Sequence, residues 1–163
     1  EALSLARPYN ENCRLLVYFS DNITTVEFDT IIADFNGQSG PPGCVLLARE
    51  EDNPQAFGVA VLDDENNILD VVEKPDNPPS NLAIGGIYLY DETFWEKFDS
   101  AVAEKGTAFS ISDINRAYIV GKNARLVSVG KDTWVDCGTP ETLLEASIMA
   151  RDGKLNPHPY RKR

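Results

Sequence analysis

Two aspartates, Asp21 and Asp136, have the residue type and the sequence setting of metal ligands. Asp21 follows the apolar run at 14–20, and Asp136 lies between a predicted strand at 126–129 and a predicted helix. Ligands of open α/β sheets bind beyond the carboxyl ends of strands, so both side chains could reach one crevice. Magnesium in phosphate chemistry is usually held by one or two carboxylates, with water and substrate oxygens completing its shell. The pair therefore predicts a Mg²⁺ site; the alternative is that Asp136 only accepts hydrogen bonds within an ordinary turn.

A third charged segment is Val71–Pro75, in which an apolar strand ends with Glu73 and Lys74 before Pro75 stops it. A fixed lysine can hold a phosphate as a point charge, and a glutamate can accept hydrogen bonds from sugar hydroxyls. The alternative is a surface Glu and Lys at the end of a strand, which is a common arrangement.

The pattern of apolar residues predicts an α/β fold. Strands are expected at about 14–20, 43–49, 57–62, 67–73, 84–90 and 125–130, and helices alternate with them. Residues 63–67 predict a hairpin loop, so an antiparallel pair accompanies the parallel strands. Thr139 is expected to cap a helix that runs to about Arg151, and Gly153 is expected to end it. The prediction is a mixed, mostly parallel sheet flanked by helices.

Six motifs in order along nearly the whole chain resemble the sugar-1-phosphate nucleotidyltransferases, and among them the glucose-1-phosphate thymidylyltransferase group. No single motif is specific, but the ordered set is. The matching segments are Phe19–Ile23, Phe57–Val59, Glu73–Pro75, Gly86–Tyr88, Ser112–Arg116 and Trp134–Thr139. The resemblance implies a partial, Rossmann-like nucleotidyltransferase fold.

The resemblance also implies roles for particular residues. It makes Asp21 and Asp136 the ligands of a catalytic Mg²⁺ and Lys74 the residue that binds the phosphate of the sugar phosphate. The residues implied around the sugar are Gly58, Glu73, Gly86 and Tyr88.

The family's glycine-rich, arginine-bearing phosphate loop and its base-contacting segment are not found in these 163 residues. The nearest substitute, Gly37–Gly43, contains two prolines, which offer no amide proton to a triphosphate. Residues 1–155 are therefore expected to form the C-terminal portion of a nucleotidyltransferase domain, and 156–163 a flexible tail. The chain is expected to be cut from something longer, to be inactive alone, and to pair with a second copy or with a complementing N-terminal half.

One segment departs from the family pattern. Before Ser112 the relatives tend to carry an arginine and acidic residues, whereas this chain has Gly106–Ser110. Ser110 and Asp113 have the spacing of a helix capping box, so Asp113 is expected to be a structural residue. The departure leaves the sugar and its contacts open.

Composition excludes several classes of function. The formal net charge of -11 disfavours a surface for nucleic acid or anionic membranes, and no apolar stretch approaches the length of a membrane span. Three widely spaced cysteines without a signal-like start fit a reducing compartment, so the cytoplasm is expected. The only histidine, His158, lies in the tail, and no Ser/His/Asp, Cys/His or zinc arrangement is found.

The expected reaction is nucleotidyl transfer, in which a phosphate oxygen of a sugar 1-phosphate attacks the α-phosphorus of a nucleoside triphosphate and pyrophosphate leaves. A non-catalytic sugar-phosphate-binding or assembly module derived from the same family is the alternative. A metal-dependent glycosyltransferase ranks lower, because the chain lacks a donor-binding region for it.

Overall fold

The computed structural model describes residues 2–37, 43–130 and 134–155. The expected helices and strands are present with bounds shifted by a few residues, and the predicted tail at 156–163 lies outside the described residues. The helices are α1 Ala2–Asn10, α2 Phe28–Gly37, α3 Phe94–Lys105, α4 Ile111–Val120 and α5 Pro140–Arg151, and short 3-10 turns cover Pro54–Ala56 and Gly106–Ala108. The strands are β1 Leu15–Tyr18, β2 Asn22–Thr24, β3 Cys44–Glu50, β4 Gly58–Leu62, β5 Ile68–Glu73, β6 Leu82–Tyr90, β7 Ala124–Ser128 and β8 Trp134–Asp136.

The main sheet has the strand order β5-β4-β6-β3-β7, and β1 also pairs with β6. A mixed sheet is confirmed, but the expectation that it is mostly parallel is wrong. Only β3 and β7 run parallel among the described pairs of this sheet, and the others are antiparallel. For the β4–β5 pair the physical reason is connection length, because a parallel crossover needs a dozen or more residues and the link at 63–67 is too short for one.

The strand before Asp21 also differs from the prediction. We expected a buried parallel strand, whereas β1 runs antiparallel to β6 and buries only Val17 fully. Leu16 and Tyr18 are exposed. The apolar run therefore belongs to a strand with one buried face and one exposed face. Hydrophobicity alone cannot distinguish such a strand from one that is buried on both faces.

Two apolar clusters cover the two faces of the sheet. On one face, α3 and α4 pack their aromatic and aliphatic residues against Tyr88 and Tyr90 of β6. On the other face, α2 packs against Ile87 and Leu89 of the same strand. Successive strand residues point to opposite faces, so β6 supplies both cores. This central strand is the rigid element on which the candidate site is built.

Local signals for helix ends and turns are confirmed where they rest on side-chain caps. Ser110 and Asp113 form the predicted capping box of α4, and Thr139 caps α5 by accepting a hydrogen bond from the Thr142 backbone. Gly153 has φ 74°, as expected after a helix end. These caps satisfy amide groups that a helix cannot pair internally.

Candidate functional site

The two predicted aspartates lie next to each other although they are far apart in sequence. A separate two-stranded sheet forms from β2 and β8, which run antiparallel with Asn22 opposite Asp136. The Cys137 backbone N–H donates to the Asp21 carbonyl oxygen over 2.6 Å. Partial burial, and then the charges of Asp136 and Asp21, raise the pKa of the Cys137 thiol. Both carboxylates therefore act on the same small region at the end of this sheet.

Each carboxylate is held by one hydrogen bond to Oδ1. The Asn22 side-chain amide donates to Asp21 over 2.8 Å, and the Gly138 backbone N–H donates to Asp136 over 2.9 Å. The second contact is the turn-type bond that the structural interpretation of Asp136 anticipated. Hydrogen bonds from described residues thus reach Oδ1 of both carboxylates. Asp21 is exposed and Asp136 is half-buried, so solvent reaches both residues.

The donor set fits one class of metal ion. In the described ranges, no group of three or more His, Cys, Asp or Glu side chains could enclose an ion. Asp21 and Asp136 together supply two carboxylate ligands. Magnesium commonly takes one or two carboxylates and keeps water or phosphate oxygens in its other positions, so the pair suits Mg²⁺ better than an ion that requires an all-protein cage.

Two glycines of β6 leave space for the side chains that pack beside the aspartates. A Cβ on Gly85 would lie 1.9 Å from the Trp134 ring, and a Cβ on Gly86 would lie 2.7 Å from the Asn22 amide nitrogen and 2.8 Å from Phe19. The Phe19 backbone N–H donates to the Gly86 carbonyl over 2.8 Å. Gly86, predicted from the resemblance to contact a sugar, therefore also lets the Asp21 loop approach the main sheet.

A buried arginine that the sequence analysis did not single out attaches β8 to the main sheet. Arg49 is 8 % exposed and donates through Nη1 to the Trp134 carbonyl over 2.5 Å. Its guanidinium pairs with Glu51 and lies over the Phe57 and Trp134 rings at 4.8 and 5.9 Å. An arginine in a strand carries no sequence signal of such burial, because its usual place is the surface.

A second group lies where β4 begins and β5 ends, and it consists of Gly58, Glu73 and Lys74. Gly58 is opposite Glu73 in the strand register, and a Cβ on Gly58 would lie 3.2 Å from the Glu73 carboxylate. Lys74 has φ 46°, and its backbone N–H donates to the Phe57 carbonyl over 2.9 Å. A lysine in the left-handed region is uncommon, and such backbone conformations cluster at functional sites.

Tyr88 connects the two groups. Burial, and then the charges of Cys44 and Glu73, raise the pKa of Tyr88 strongly. Phe19, two residues before Asp21, packs edge-on against Tyr88 at 5.8 Å. No direct contact joins Lys74 to either aspartate in the described part of the chain. The structure thus brings Asp21 to Asp136 and Gly58 to Glu73, and relates the two groups through Tyr88.

A cavity of about 610 Å³ adjoins the aspartate loop. Phe19, Phe98 and Phe109 line it, together with hydroxyl side chains that include Thr107 and Ser110. The Gly106–Ser110 segment, where the chain departs from the family pattern, therefore forms part of this wall. Phe98 is buried in the core cluster of α3 and α4 and also lines this cavity.

Among the helices that the structure describes, none has the length and apolar character needed to cross a bilayer.

Comparisons with known proteins find relatives that are described as nucleotidyltransferases. Residues 1–153 match the family model described as nucleotidyl transferase. The low-salt glycan biosynthesis nucleotidyltransferase Agl11 of Haloferax volcanii is 29 % identical over 94 % of this chain and 42 % of its own length. A glucose-1-phosphate thymidylyltransferase of Xanthomonas campestris is 35 % identical over 64 % of this chain and 36 % of its own length.

A solved structure shares the fold. It is a putative glucose-1-phosphate thymidylyltransferase from Bacillus anthracis in complex with a sucrose, with a TM-score of 0.82 and 31 % identity. The superposition covers 93 % of this chain and 60 % of that one. The chain thus spans about two fifths of the length of the two curated relatives above and three fifths of this solved chain.

Proposed function

Since this chain belongs to the nucleotidyl transferase family, we propose that the whole protein transfers a nucleotidyl group from a nucleoside triphosphate to a sugar 1-phosphate and releases pyrophosphate. One observation carries the proposal. The pairing of β2 with β8 places Asp21 beside Asp136. Two adjacent carboxylates within reach of solvent are the arrangement that phosphate-transferring proteins use to hold a divalent cation.

Asp21 and Asp136 would hold Mg²⁺ in this proposal. When bound, the ion neutralises negative charge that builds up on the phosphate oxygens. The surrounding residues keep both carboxylates in place: Asn22 orients Asp21, and the Gly138 backbone orients Asp136.

The group where β4 begins and β5 ends would receive the sugar phosphate. Lys74 would bind its phosphate as a point charge, and Glu73 would accept hydrogen bonds from sugar hydroxyls. Gly58 and Gly86 have no side chains, so they would allow the sugar ring to approach the backbone. Tyr88 would form part of the same binding surface. The proposal is supported by the left-handed conformation of Lys74 and by the position of Glu73 opposite Gly58 in the strand register.

The reaction needs no covalent enzyme intermediate. A phosphate oxygen of the sugar 1-phosphate forms a bond to the α-phosphorus, and the bond from that phosphorus to the β-phosphate oxygen breaks, so pyrophosphate leaves with the electron pair. Both reactants are anions that repel each other in water. Lys74 lowers that repulsion at the acceptor, so the catalytic contribution of this chain is mainly positioning and electrostatic stabilisation.

The cellular setting belongs to the same proposal. Cys13, Cys44 and Cys137 are all free thiols, which supports a reducing compartment such as the cytoplasm. A complementing segment with the phosphate loop would complete the nucleotide site, and a second copy of the chain would cover exposed apolar surface.

Replacement of Asp136 by Asn in the whole protein tests the function. Asn keeps the size and one acceptor oxygen but removes a charge. If charge stabilisation worth several kcal/mol is lost, turnover should fall more than about 100-fold. The measurement is release of pyrophosphate across a magnesium titration, with a panel of nucleoside triphosphates and sugar 1-phosphates, alongside the melting temperature.

Asp152→Asn is the matched control, because Asp152 is an exposed carboxylate that pairs with Arg151 at the other end of α5. It should leave turnover and the magnesium requirement unchanged. Near-normal turnover of Asp136→Asn with an unchanged magnesium requirement would contradict the proposal. Binding of sugar phosphate without any pyrophosphate release by the unsubstituted whole protein would instead favour the non-catalytic module.

A further inference from the structure

We propose that Asn22 is a positioning residue that couples the two aspartates, because its single side-chain amide fixes Asp21 on one side and the strand of Asp136 on the other. The inference rests on the proposed function, since it concerns the same pair of carboxylates. Asn22 itself would not touch the metal ion or the substrate; it would act through Asp21 and Trp134.

The orientation of the Asn22 amide is determined by chemistry. Trp134 Nε1–H donates to the Asn22 side-chain oxygen over 2.7 Å in a buried contact. An indole nitrogen can only donate, so the amide must turn its oxygen toward Trp134. The NH₂ group then necessarily faces the other way, where it donates to Asp21 Oδ1 over 2.8 Å. A flipped amide would place two donors against each other at Trp134 and two acceptors against each other at Asp21.

The packing around Asn22 leaves little freedom for another arrangement. Asn22 is 7 % exposed, and its amide nitrogen occupies the space above Gly86 that a Cβ would fill. Its backbone is held opposite Asp136 in the β2–β8 pair. A buried amide with both of its polar ends paired is a rigid connection, because breaking either bond leaves a desolvated group without a partner.

Trp134 links the fixed Asn22 amide to the second aspartate, Asp136. It lies two residues before Asp136 in the same strand, its ring lies against Gly85, and its carbonyl accepts from Arg49. The distance between the two carboxylates is therefore fixed by a chain of contacts that runs from Arg49 through Trp134 and Asn22 to Asp21. Groups that orient metal ligands in this way typically change metal affinity 10- to 100-fold when removed, so we expect about that loss here.

The test is a titration of the chain with Mn²⁺ alone, followed by electron paramagnetic resonance of the free ion. Asn22→Ala should weaken Mn²⁺ binding by about 10- to 100-fold. Trp134→Phe keeps an aromatic ring but removes the indole donor, and it should weaken binding by a smaller factor. Because both substitutions break the same connection, the double variant should bind about as weakly as Asn22→Ala alone.

Asn115→Ala is the control for a general effect on stability. Asn115 is also a buried asparagine, and it accepts a hydrogen bond over 2.6 Å from Tyr90, a member of the core cluster of α3 and α4. It should lower the free energy of unfolding in urea while leaving Mn²⁺ affinity unchanged. A merely structural role for Asn22 would give the same result as this control.

The outcomes separate the two proposals. If the unsubstituted chain binds Mn²⁺, Asp136→Asn abolishes binding, and Asn22→Ala binds as tightly as the unsubstituted chain, the positioning role is wrong and the aspartate pair stands. Independent, additive losses in the double variant would also overturn the positioning role. Failure of the unsubstituted chain to bind Mn²⁺ would overturn both. If Asn22→Ala does not fold, Trp134→Phe with normal affinity overturns the inference.

Discussion

At the scale of single residues, Trp134 is the point where three parts of the molecule meet. Its ring rests on Gly85 of the main sheet, its indole nitrogen reaches Asn22, and its carbonyl accepts from Arg49. It is only 6 % exposed. A large aromatic side chain can approach a strand so closely only where that strand has no side chain of its own, so the position of Trp134 depends on a glycine.

We therefore expect Gly85→Ala to destabilise the protein. The added methyl group would collide with the Trp134 ring, and overpacking of this kind costs about 1–3 kcal/mol. Urea unfolding followed by tryptophan fluorescence measures the loss. Gly37→Ala is the control, because a Cβ there would meet nothing within 4 Å, and its effect should be neutral or slightly stabilising. Equal stability of the two variants would show that the ring can move aside.

The sequence singles out the two aspartates as candidate metal ligands but not the residues that contact them. Asp21 and Asp136 stand out because each is a carboxylate at the end of an apolar stretch. Asn22 lies in the matching segment Phe19–Ile23 and donates to its neighbour Asp21. Its bond to Trp134, like that of Arg49, joins residues that are remote in sequence, so no local pattern predicts these contacts. The roles in sugar and phosphate binding remain predictions that rest on the resemblance.

At the scale of elements, the start of α4 is fixed by a small cluster of charges. Asp113 accepts from the Ser110 backbone over 2.8 Å and pairs with the Lys105 ammonium. The hydrogen bond from Lys105, and then that from Ser110, hold the pKa of the Asp113 carboxyl below its usual value of 3.8. The helix begins directly after Gly106–Ser110, the segment that lines the cavity beside the aspartate loop. The cap of α4 therefore also fixes the end of this part of the cavity wall.

The lowered pKa predicts how stability responds to acid. A carboxyl whose pKa is lower in the folded state stabilises that state fully above its unfolded pKa, and the stabilisation is lost as the pH falls through the folded pKa. Asp113→Asn should therefore lower the free energy of unfolding at neutral pH and reduce its further decline in acid. Urea unfolding at several values between about pH 6 and pH 2.5 measures both.

Asp152→Asn serves as the comparison, because this exposed carboxylate has only an adjacent arginine as its partner. Its acid profile should match that of the unsubstituted protein. A profile for Asp113→Asn that is parallel to the unsubstituted one over the whole range would show that the cap does not respond to protonation.

Elements whose signals are local were predicted well, and those defined by distant partners were not. The α5 cap, the α4 capping box and the hairpin at 63–67 follow from residues within a few positions of each other. The three-residue strands β2 and β8 are too short to show a period, and only their pairing makes them strands. The prediction of a mostly parallel sheet was wrong for a related reason. The apolar runs indicate strands, but they do not indicate which neighbour each strand pairs with.

At the scale of the whole molecule, α5 leaves an apolar surface open. Leu143, Leu144 and Ile148 are 54, 62 and 42 % exposed, whereas Ala146 on the same helix is buried. Neighbouring exposed aliphatic side chains on a helix commonly drive association. We expect the chain to form species larger than a monomer that decline on dilution.

Leu144→Lys should shift this equilibrium toward the monomer, because it places a charge within the apolar surface. Sedimentation velocity at several concentrations measures the shift. Val120→Lys is the control, since Val120 is 76 % exposed at the end of another helix, α4. If both variants sediment like the unsubstituted chain at every concentration, α5 is not the surface through which the chain associates.

The pairing of β2 with β8 also determines when the two aspartates can meet during synthesis and folding. The hydrogen bond between Trp134 and Asn22 spans 112 residues of sequence, so its formation requires the closure of a very long loop. A ribosome adding 5–20 residues per second would need roughly 6–22 s to synthesise the intervening chain. For that interval the emerging polypeptide carries Asp21 without its partner. Contacts of such high sequence separation form late, so the two aspartates can come together only after β8 has been synthesised, and a metal ion that needs both of them cannot guide the earlier steps of folding.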